Sequence, residues 1–329
     1  MIYRDTIFGE IEIEEPIVEE LLKSRPLQRL KKITMSGFSV FLTRDHPFMK
    51  FNPWFTRFEH SVGVYLLLRR YNASLEERVA GLLHDISHTA FSHVVDHVFG
   101  REMQHDYHES LFHKVLSSSE IPDILDRHGL NVNIVAEVEK FGLLEREIPD
   151  ICVDRIDYFF RSMLNVTITR EWAIRELNNI VVFRDRLVFK DIKSARSFAY
   201  KYLEANEKLY CNALQATLYY KIAEILKLAL EKGVIVEEDF LSDDFTLYRK
   251  LSSDEELRSL IRLINRIRVV EDNENFDLWV KSKIRYVDPL ILIDDKLSRL
   301  SYLDNKFKKK LEDYIKKRSR GFKVKIIYI

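Results

Sequence analysis

The segment Leu83–His93, Leu-His-Asp-Ile-Ser-His-Thr-Ala-Phe-Ser-His, packs three histidines and an aspartate into ten residues on an apolar background. Ionisable groups in such a setting are costly unless something pairs them. A divalent metal ion is the partner that suits imidazole and carboxylate packed this tightly. Neighbours on a helix point about 100° apart, so His84 and Asp85 reach one ion only from its edge or from a helix end. His60 sits one helix earlier, in Arg57-Phe58-Glu59-His60-Ser61, and two antiparallel helices joined by a short turn bring 60 beside 84. Asp154, in Val153-Asp154-Arg155-Ile156-Asp157-Tyr158, is the natural fourth ligand, from a later helix. The set His60, His84, Asp85 and Asp154 offers mixed nitrogen and oxygen ligands, suited to Mn, Fe, Zn, Ni or Mg rather than to a thiolate-loving ion. Four protein ligands on an octahedral ion leave positions for water or substrate, which is what a hydrolase needs.

Other ionisable groups stand close by. His93 and Asp96 lie at i, i+3 and share a helix face. An aspartate beside a histidine orients the ring and raises its basicity, the usual dressing of a general acid–base histidine. His88, His108 and Glu109 are further candidates. Arg57, Arg155 and Arg161 present planar forks suited to an anionic, phosphate-like substrate. Arg155 has a plainer alternative, a surface pair with Asp157 or Glu147. His105, His113 and His128 read as surface residues.

The elements that must position these groups read as mostly helical. A β-hairpin is expected around Gly9, helices begin at Pro16 and Pro26, and an aromatic loop at 38–58 packs over the site or plugs a core gap. Helices follow over about 59–70 and 75–84, around 94–98, and over 107–117, 121–128 and 132–140, with a longer one after Pro149. A second hairpin at 180–190 turns at Arg184-Asp185-Arg186. Residues 192–231 are helical, shorter helices fill 237–268, a Lys-rich helix spans 296–318, and a strand closes the chain at 322–329. A boundary near 170 divides the chain into 1–170, holding the site, and a C-terminal helical region at 171–329 packed on it.

The bulk numbers limit the options. The 329 residues are 46% hydrophobic, enough for a full core, and 52 basic residues cancel 52 acidic ones. Net charge therefore gives no long-range steering of nucleic acid, although a local patch at Lys306–Arg320 leaves nucleic-acid binding open. Two lone cysteines, Cys152 and Cys211, make no disulfide framework and suggest a reducing compartment. No apolar run is long enough to span a bilayer, and the first residues carry no signal-peptide pattern; a cytoplasmic protein is expected.

These residues in this order resemble the HD-domain metal-dependent phosphohydrolases, in particular the branch of deoxynucleoside triphosphate triphosphohydrolases. The matches are Arg57-Phe58-Glu59-His60-Ser61, His84-Asp85, His88 through His93, and Asp154 through Phe159, with Pro26-Leu27-Gln28-Arg29-Leu30 near the start. The resemblance implies a mostly α-helical HD core with small hairpins, a homo-oligomer, and a nucleotide substrate. It makes His60, His84, Asp85 and Asp154 the metal ligands and His93 with Asp96 the catalytic pair. It makes His108 a proton donor to the leaving group, Arg57 and Arg155 phosphate contacts, and Tyr158 a sugar-stacking residue. The chain departs from that branch at Ser162, Met35 and Asn206, where a sugar-contacting acid, a sugar-reading glutamine and a phosphate-binding arginine are expected. The expected function is a deoxynucleoside triphosphate triphosphohydrolase. The rivals are a phosphomonoesterase or phosphodiesterase on nucleoside monophosphates, cyclic nucleotides or oligonucleotides, and a nucleotide-sensing or nucleic-acid-binding HD scaffold.

Overall fold

The computed structural model describes residues 1–329. Its centre is the helix Arg57–Arg70, opened by a capping box in which Thr56 and Glu59 satisfy each other's backbone N–H. Eleven of its fourteen residues are buried, so it is walled on nearly every side instead of showing one apolar stripe. Asn72, with φ at 54°, lets the chain turn sharply into the helix Leu75–Leu83, which Ser74 caps. This turn folds the two helices back on each other and brings the histidine near the start of one beside the end of the other.

The helix Val153–Met163 crosses the central helix at Gly63. A Cβ there would overlap the side chains of Asp157 and Arg161, so the close approach requires glycine. Arg161 is buried and its guanidinium is fully engaged, meeting Asp157 at 2.8 Å and Asp5 at 2.7 Å. Asp5 comes from the N-terminal hairpin, strands Ile2–Asp5 and Gly9–Glu12, which pair antiparallel as expected.

The rest of the chain is helical with small sheets. The hairpin expected at 180–190 forms between Ile180–Val182 and Leu187–Phe189, with Arg184 and Asp185 left-handed in its turn. The long helical stretch divides into Ile192–Ala205 and Ala213–Glu231 around a π-helical turn, Asn206–Tyr210. Two expectations need correction. The helical stretch expected to run to 268 stops short: Ile267–Glu271 is a strand, and it pairs with the terminal strand Phe322–Tyr328. The Lys-rich helix does not start at 296: Lys296–Arg299 is a strand hairpinned to Leu290–Ile293, and the helix is Asn305–Arg318. Lys, Ser and Arg in the first of these satisfy a helical pattern as readily as an extended one, and only the sheet partner decides. One apolar core runs from Ile7 to Leu311 through both halves of the chain. No helix is long and apolar enough to cross a membrane.

Candidate active site

His60 and His84 approach Asp154 from two antiparallel helices, with the carboxylate arriving from the helix packed at Gly63. His60 Nε2 lies 3.0 Å from Asp154 Oδ1, and His84 Nε2 lies 3.7 Å from the same oxygen. Asp85 adds its carboxylate, with Oδ1 3.4 Å from His84 Nε2 and Oδ2 3.9 Å from His60 Nε2. The four side chains expected to meet therefore do meet.

The donor set fits a divalent cation. His84 Nδ1 lies 2.8 Å from the Gly81 carbonyl, which can only accept, so Nδ1 carries a proton and Nε2 is the atom turned to the site. That Nε2 is buried without a hydrogen-bond partner, facing two carboxylates. His60 is gripped at Nδ1 by Asp157 at 2.8 Å, the outer contact that fixes ring orientation in metal-ligating histidines. Burial disfavours its charged form, yet hydrogen bonds to Asp154 and Asp157 overcome this and raise its pKa to about 9. Burial likewise works against the Asp85 carboxylate, but Arg57, His84 and His60 hold it well below the usual range. Carboxylates that converge in this way call for a positive charge among them, which a proton on His60 supplies here and a cation with N/O preference would supply in its place.

Around this set the other candidates take up distinct places. Arg57 binds Asp85 through Nη1 at 2.8 Å and Ser92 through Nε at 3.1 Å, which leaves Nη2 buried and unpartnered. His93 Nδ1 meets Asp96 Oδ2 at 2.9 Å, forming the expected dyad. His88 and His108 stack with ring centroids 3.7 Å apart, and the Nδ1 of each is buried without a partner. Burial first, and then neighbouring Arg57 and His108, push His88 and His93 far down, while His108 falls to about 4. At neutral pH these three imidazoles are uncharged proton acceptors.

All of this opens into a cavity of about 990 Å³. Arg155 and Tyr158 line it. Arg155 does not make the surface pair with Asp157 or Glu147; its Nη1 donates to the Asp150 carbonyl at 3.0 Å. Arg161, expected to contact substrate, is kept out of the cavity lining. Its guanidinium is spent on Asp5 and Asp157, so its influence reaches the site only through the carboxylate that orients His60. The aromatic loop packs over the site, with Phe48, Phe51 and Phe55 in the cavity wall, while Trp54 stays exposed and stacks on Phe245.

Several cavity residues escaped the sequence reading. His105, read as a surface residue, is buried, with φ at 57°, and its ring centroid lies 4.5 Å from that of His93. His113 and His128 are exposed, as expected. Lys283 and Arg285 enter from a segment with no regular structure, and no motif marks them. Lys283 Nζ donates to the Gln104 carbonyl at 2.7 Å, and Arg285 lies over the Tyr158 ring at 5.7 Å. Burial and then Arg285 lower the Lys283 ammonium, with Glu145 and Glu109 opposing. Neither these two nor Arg155 has a carboxylate within 4.0 Å; Tyr210, Tyr219 and Gln215 share the lining, Tyr210 packed on Tyr158 with ring centroids 5.4 Å apart.

The loop that carries His88 and His93 is held from a distance. Phe91 and Ser92 are both left-handed, with φ of 64° and 47°, an unfavourable state for such residues. The C-terminal half holds them there. Asp244 accepts from the Phe91 N–H at 2.8 Å and from the Thr34 N–H and hydroxyl at 2.9 and 2.8 Å, while the Ala90 N–H donates to the Phe240 carbonyl at 2.8 Å.

Comparison with known proteins agrees with this geometry. The HD domain family model matches residues 57–162, which span the converging side chains. The chain is 38% identical over 328 residues to the uncharacterized protein YdhJ of Bacillus subtilis, covering 98% of each. It is 32% identical to the metal-dependent phosphohydrolase cns2 of Cordyceps militaris, over 88% of this chain and 84% of that one. A deoxynucleoside triphosphate triphosphohydrolase SAMHD1 homolog of Dictyostelium discoideum is more distant, 22% identical over 90% of this chain and 62% of its own length. Among solved structures, a phosphohydrolase from Bacteroides thetaiotaomicron superposes with a TM-score of 0.74 at 19% identity, covering 100% of this chain and 99% of that one.

Proposed function

The chain belongs to the HD-domain family of metal-dependent phosphohydrolases, and on that premise we propose that it hydrolyses a nucleotide, foremost a deoxynucleoside triphosphate, releasing nucleoside and triphosphate. One observation carries this reading. Three cations, Arg155, Lys283 and Arg285, share one wall of the cavity with no carboxylate in salt-bridge reach, and Arg57 Nη2 is unpartnered beside them. Unpaired charge is costly to bury; a polyanion neutralises Arg155, Lys283 and Arg285 and gives Arg57, already paired with Asp85, an acceptor for Nη2. The tyrosines of the same lining, Tyr158, Tyr210 and Tyr219, take the sugar and base.

In this reading His60, His84, Asp85 and Asp154 hold the divalent cation. That cation, when bound, supplies Lewis acidity to a phosphoryl oxygen and to water. Asp157 and the Gly81 carbonyl fix the two imidazoles in the tautomers that ligation needs. Asp96 takes the Nδ1 proton of His93 in a hydrogen bond, which leaves His93 Nε2 as acceptor for the proton of the attacking water. His108, stacked on His88, is uncharged in the empty cavity; the charge of a bound polyanion favours its protonated form, which donates to the leaving oxygen. Arg57, Arg155, Lys283 and Arg285 bind phosphate oxygens, and Tyr158 stacks against the sugar.

A second reading is favoured by Ser162 and Met35, which line the same cavity where the triphosphohydrolase branch carries a sugar-contacting acid and a glutamine. It is a phosphomonoesterase or phosphodiesterase acting on nucleotides. Metal-loaded protein offered a nucleotide panel, with products resolved by ion-exchange chromatography, separates the two. Inorganic triphosphate with free nucleoside supports the first, and orthophosphate or a nucleoside monophosphate supports the second. No turnover of any nucleotide by metal-replete protein defeats both.

A further inference from the structure

The turn between the helices Val94–Val98 and Tyr107–Ser117 carries a cavity histidine to which the reaction assigns no task, His105. Its side chain is buried and its backbone is left-handed, with φ at 57°. Such a conformation is costly for a residue with a side chain and persists only where the surroundings over-determine it. Here they do. The His105 N–H donates to the Arg101 carbonyl at 2.9 Å, and the Arg101 N–H to the Asp96 carbonyl at 2.8 Å. The Tyr107 N–H donates to Asp96 Oδ1 at 3.0 Å. The other oxygen of Asp96 meets His93, so one carboxylate fixes both the proton-accepting ring and the turn beside it.

Two consecutive residues of this turn meet two cations of one distant segment. The Gln104 carbonyl accepts from Lys283 Nζ at 2.7 Å, and His105 Nδ1 lies 3.4 Å from Arg285 Nη2. A guanidinium can only donate, so His105 Nδ1 is the lone pair and Nε2 carries the proton. Burial first, and then His93 and Arg285, push the His105 imidazole far below its ordinary value, so the acceptor persists at neutral pH. The ring also packs on His93, with centroids 4.5 Å apart and planes tilted by 32°. Residues 281–289 form neither helix nor strand, and long cationic side chains on such a segment sample many rotamers unless something holds them.

We propose that His105 is a positioning residue for phosphate binding: with the Gln104 carbonyl it clamps Arg285 and Lys283 in register with the His93–Asp96 pair, so that phosphate is held where His93 can serve the attacking water. The clamp spans 180 residues of chain and joins the segment that binds the anion to the ring that takes the proton. Ordering the two cations before substrate arrives removes that cost from binding. The role in phosphate binding rests on the reading of Arg285 and Lys283 as phosphate contacts; the contact between His105 and Arg285 does not.

Two variants of the metal-loaded protein, read in two ways, test this. His105→Phe keeps a ring against His93 and removes the acceptor. His105→Asn gives up the ring but returns an acceptor, the amide Oδ1, to the place of Nδ1, and asparagine tolerates the left-handed backbone. In steady-state turnover His105→Phe should raise KM roughly three- to tenfold with kcat held within about twofold, and His105→Asn should recover most of that loss. Added to Arg285→Ala, His105→Phe should raise KM no further. An unaltered KM in His105→Phe, a loss confined to kcat, or effects on KM that multiply independently would overturn the proposal. Nitrogen NMR of histidine-labelled protein reads the contact without substrate, His105 being the signal missing from His105→Phe. Its Nδ1 should be unprotonated and should shift in Arg285→Ala. A protonated Nδ1, or one indifferent to Arg285→Ala, refutes the clamp whatever the protein turns over. Inactivity on every nucleotide beside a responsive Nδ1 defeats the substrate reading and leaves the clamp standing.

Discussion

Replacing Gly63 by Ala sets two effects of opposite sign against each other. Helix propensity alone makes Gly→Ala inside a helix stabilising by about 1 kcal/mol. In the structure the new methyl group has nowhere to go. It overlaps Asp157 and Arg161, which are buried and locked, Arg161 to Asp157 at 2.8 Å and to Asp5 at 2.7 Å. Forcing a methyl into a packed core costs about 1–3 kcal/mol, and breaking a buried ion pair by displacing one partner costs about 3–5. With both costs counted against the propensity gain, the net loss should be about 3–7 kcal/mol, a fall in melting temperature of roughly 4–10 °C for a chain of this size. The displaced carboxylate is also the one that grips His60 at 2.8 Å, so metal content should fall with stability. Thermal unfolding followed by circular dichroism measures the first, and elemental analysis of dialysed protein the second. Gly81→Ala is the comparison: its methyl would meet the apolar side chains of Leu68, Val64 and Leu144 and no ion pair, and it should lose less. A Gly63→Ala protein as stable as the wild type, or more so, with full metal content would refute the close-approach argument.

Three further outcomes are expected. His84→Ala should abolish turnover and most metal binding, and a chelator should lower the wild-type melting temperature but leave that of His84→Ala unmoved, because a ligand held only by the folded state adds its binding energy to stability. Lys283→Ala and Arg285→Ala should each raise KM roughly 10- to 100-fold, since a charge-assisted hydrogen bond contributes about 1.5–3 kcal/mol, with melting temperatures nearly unchanged; steady-state kinetics showing an unaltered KM would count against the cation wall. Burial raises the Asp244 carboxyl from its ordinary 3.8 to about 6, while hydrogen bonds from Phe91 and Thr34 oppose the shift. A raised pKa means that the folded state holds the proton more tightly, so this contribution is full below pH 4 and is lost as pH rises through 6. The shift corresponds to about 3 kcal/mol at pH 7. Asp244→Asn should flatten the fall in stability between pH 4 and 7, as read by urea unfolding at several pH values; an unchanged slope would discard the assignment.

What was legible in the sequence was local or periodic. The spacing of His84, Asp85, His88 and His93 and the apolar runs around them state which residues share a helix and which faces are buried. From that alone the meeting of His60 with His84 could be read, because a short turn between antiparallel helices leaves little freedom. His93 with Asp96 was readable for the same reason, being one helical turn apart. The hairpin at Arg184-Asp185 was readable because turn residues announce themselves.

The remainder depended on which distant surfaces pack together, and periodicity carries no such information. Arg161 looks like any arginine near a phosphate site until the N-terminal hairpin delivers Asp5 to it across 156 residues of chain. Lys283 and Arg285 sit in a stretch without regular structure, and they become cavity residues only because the small C-terminal sheets carry that stretch past Tyr158. Asp244 shows no sequence signal that it holds Phe91 in a left-handed conformation beside the histidines. The sequence by itself determined the donor atoms and their helices, since ligand chemistry and helix geometry act over a few residues. The tertiary structure alone decided which cations face the substrate and what restrains the histidine loop, since those contacts join segments more than a hundred residues apart, and it is the packing of the whole core that selects them.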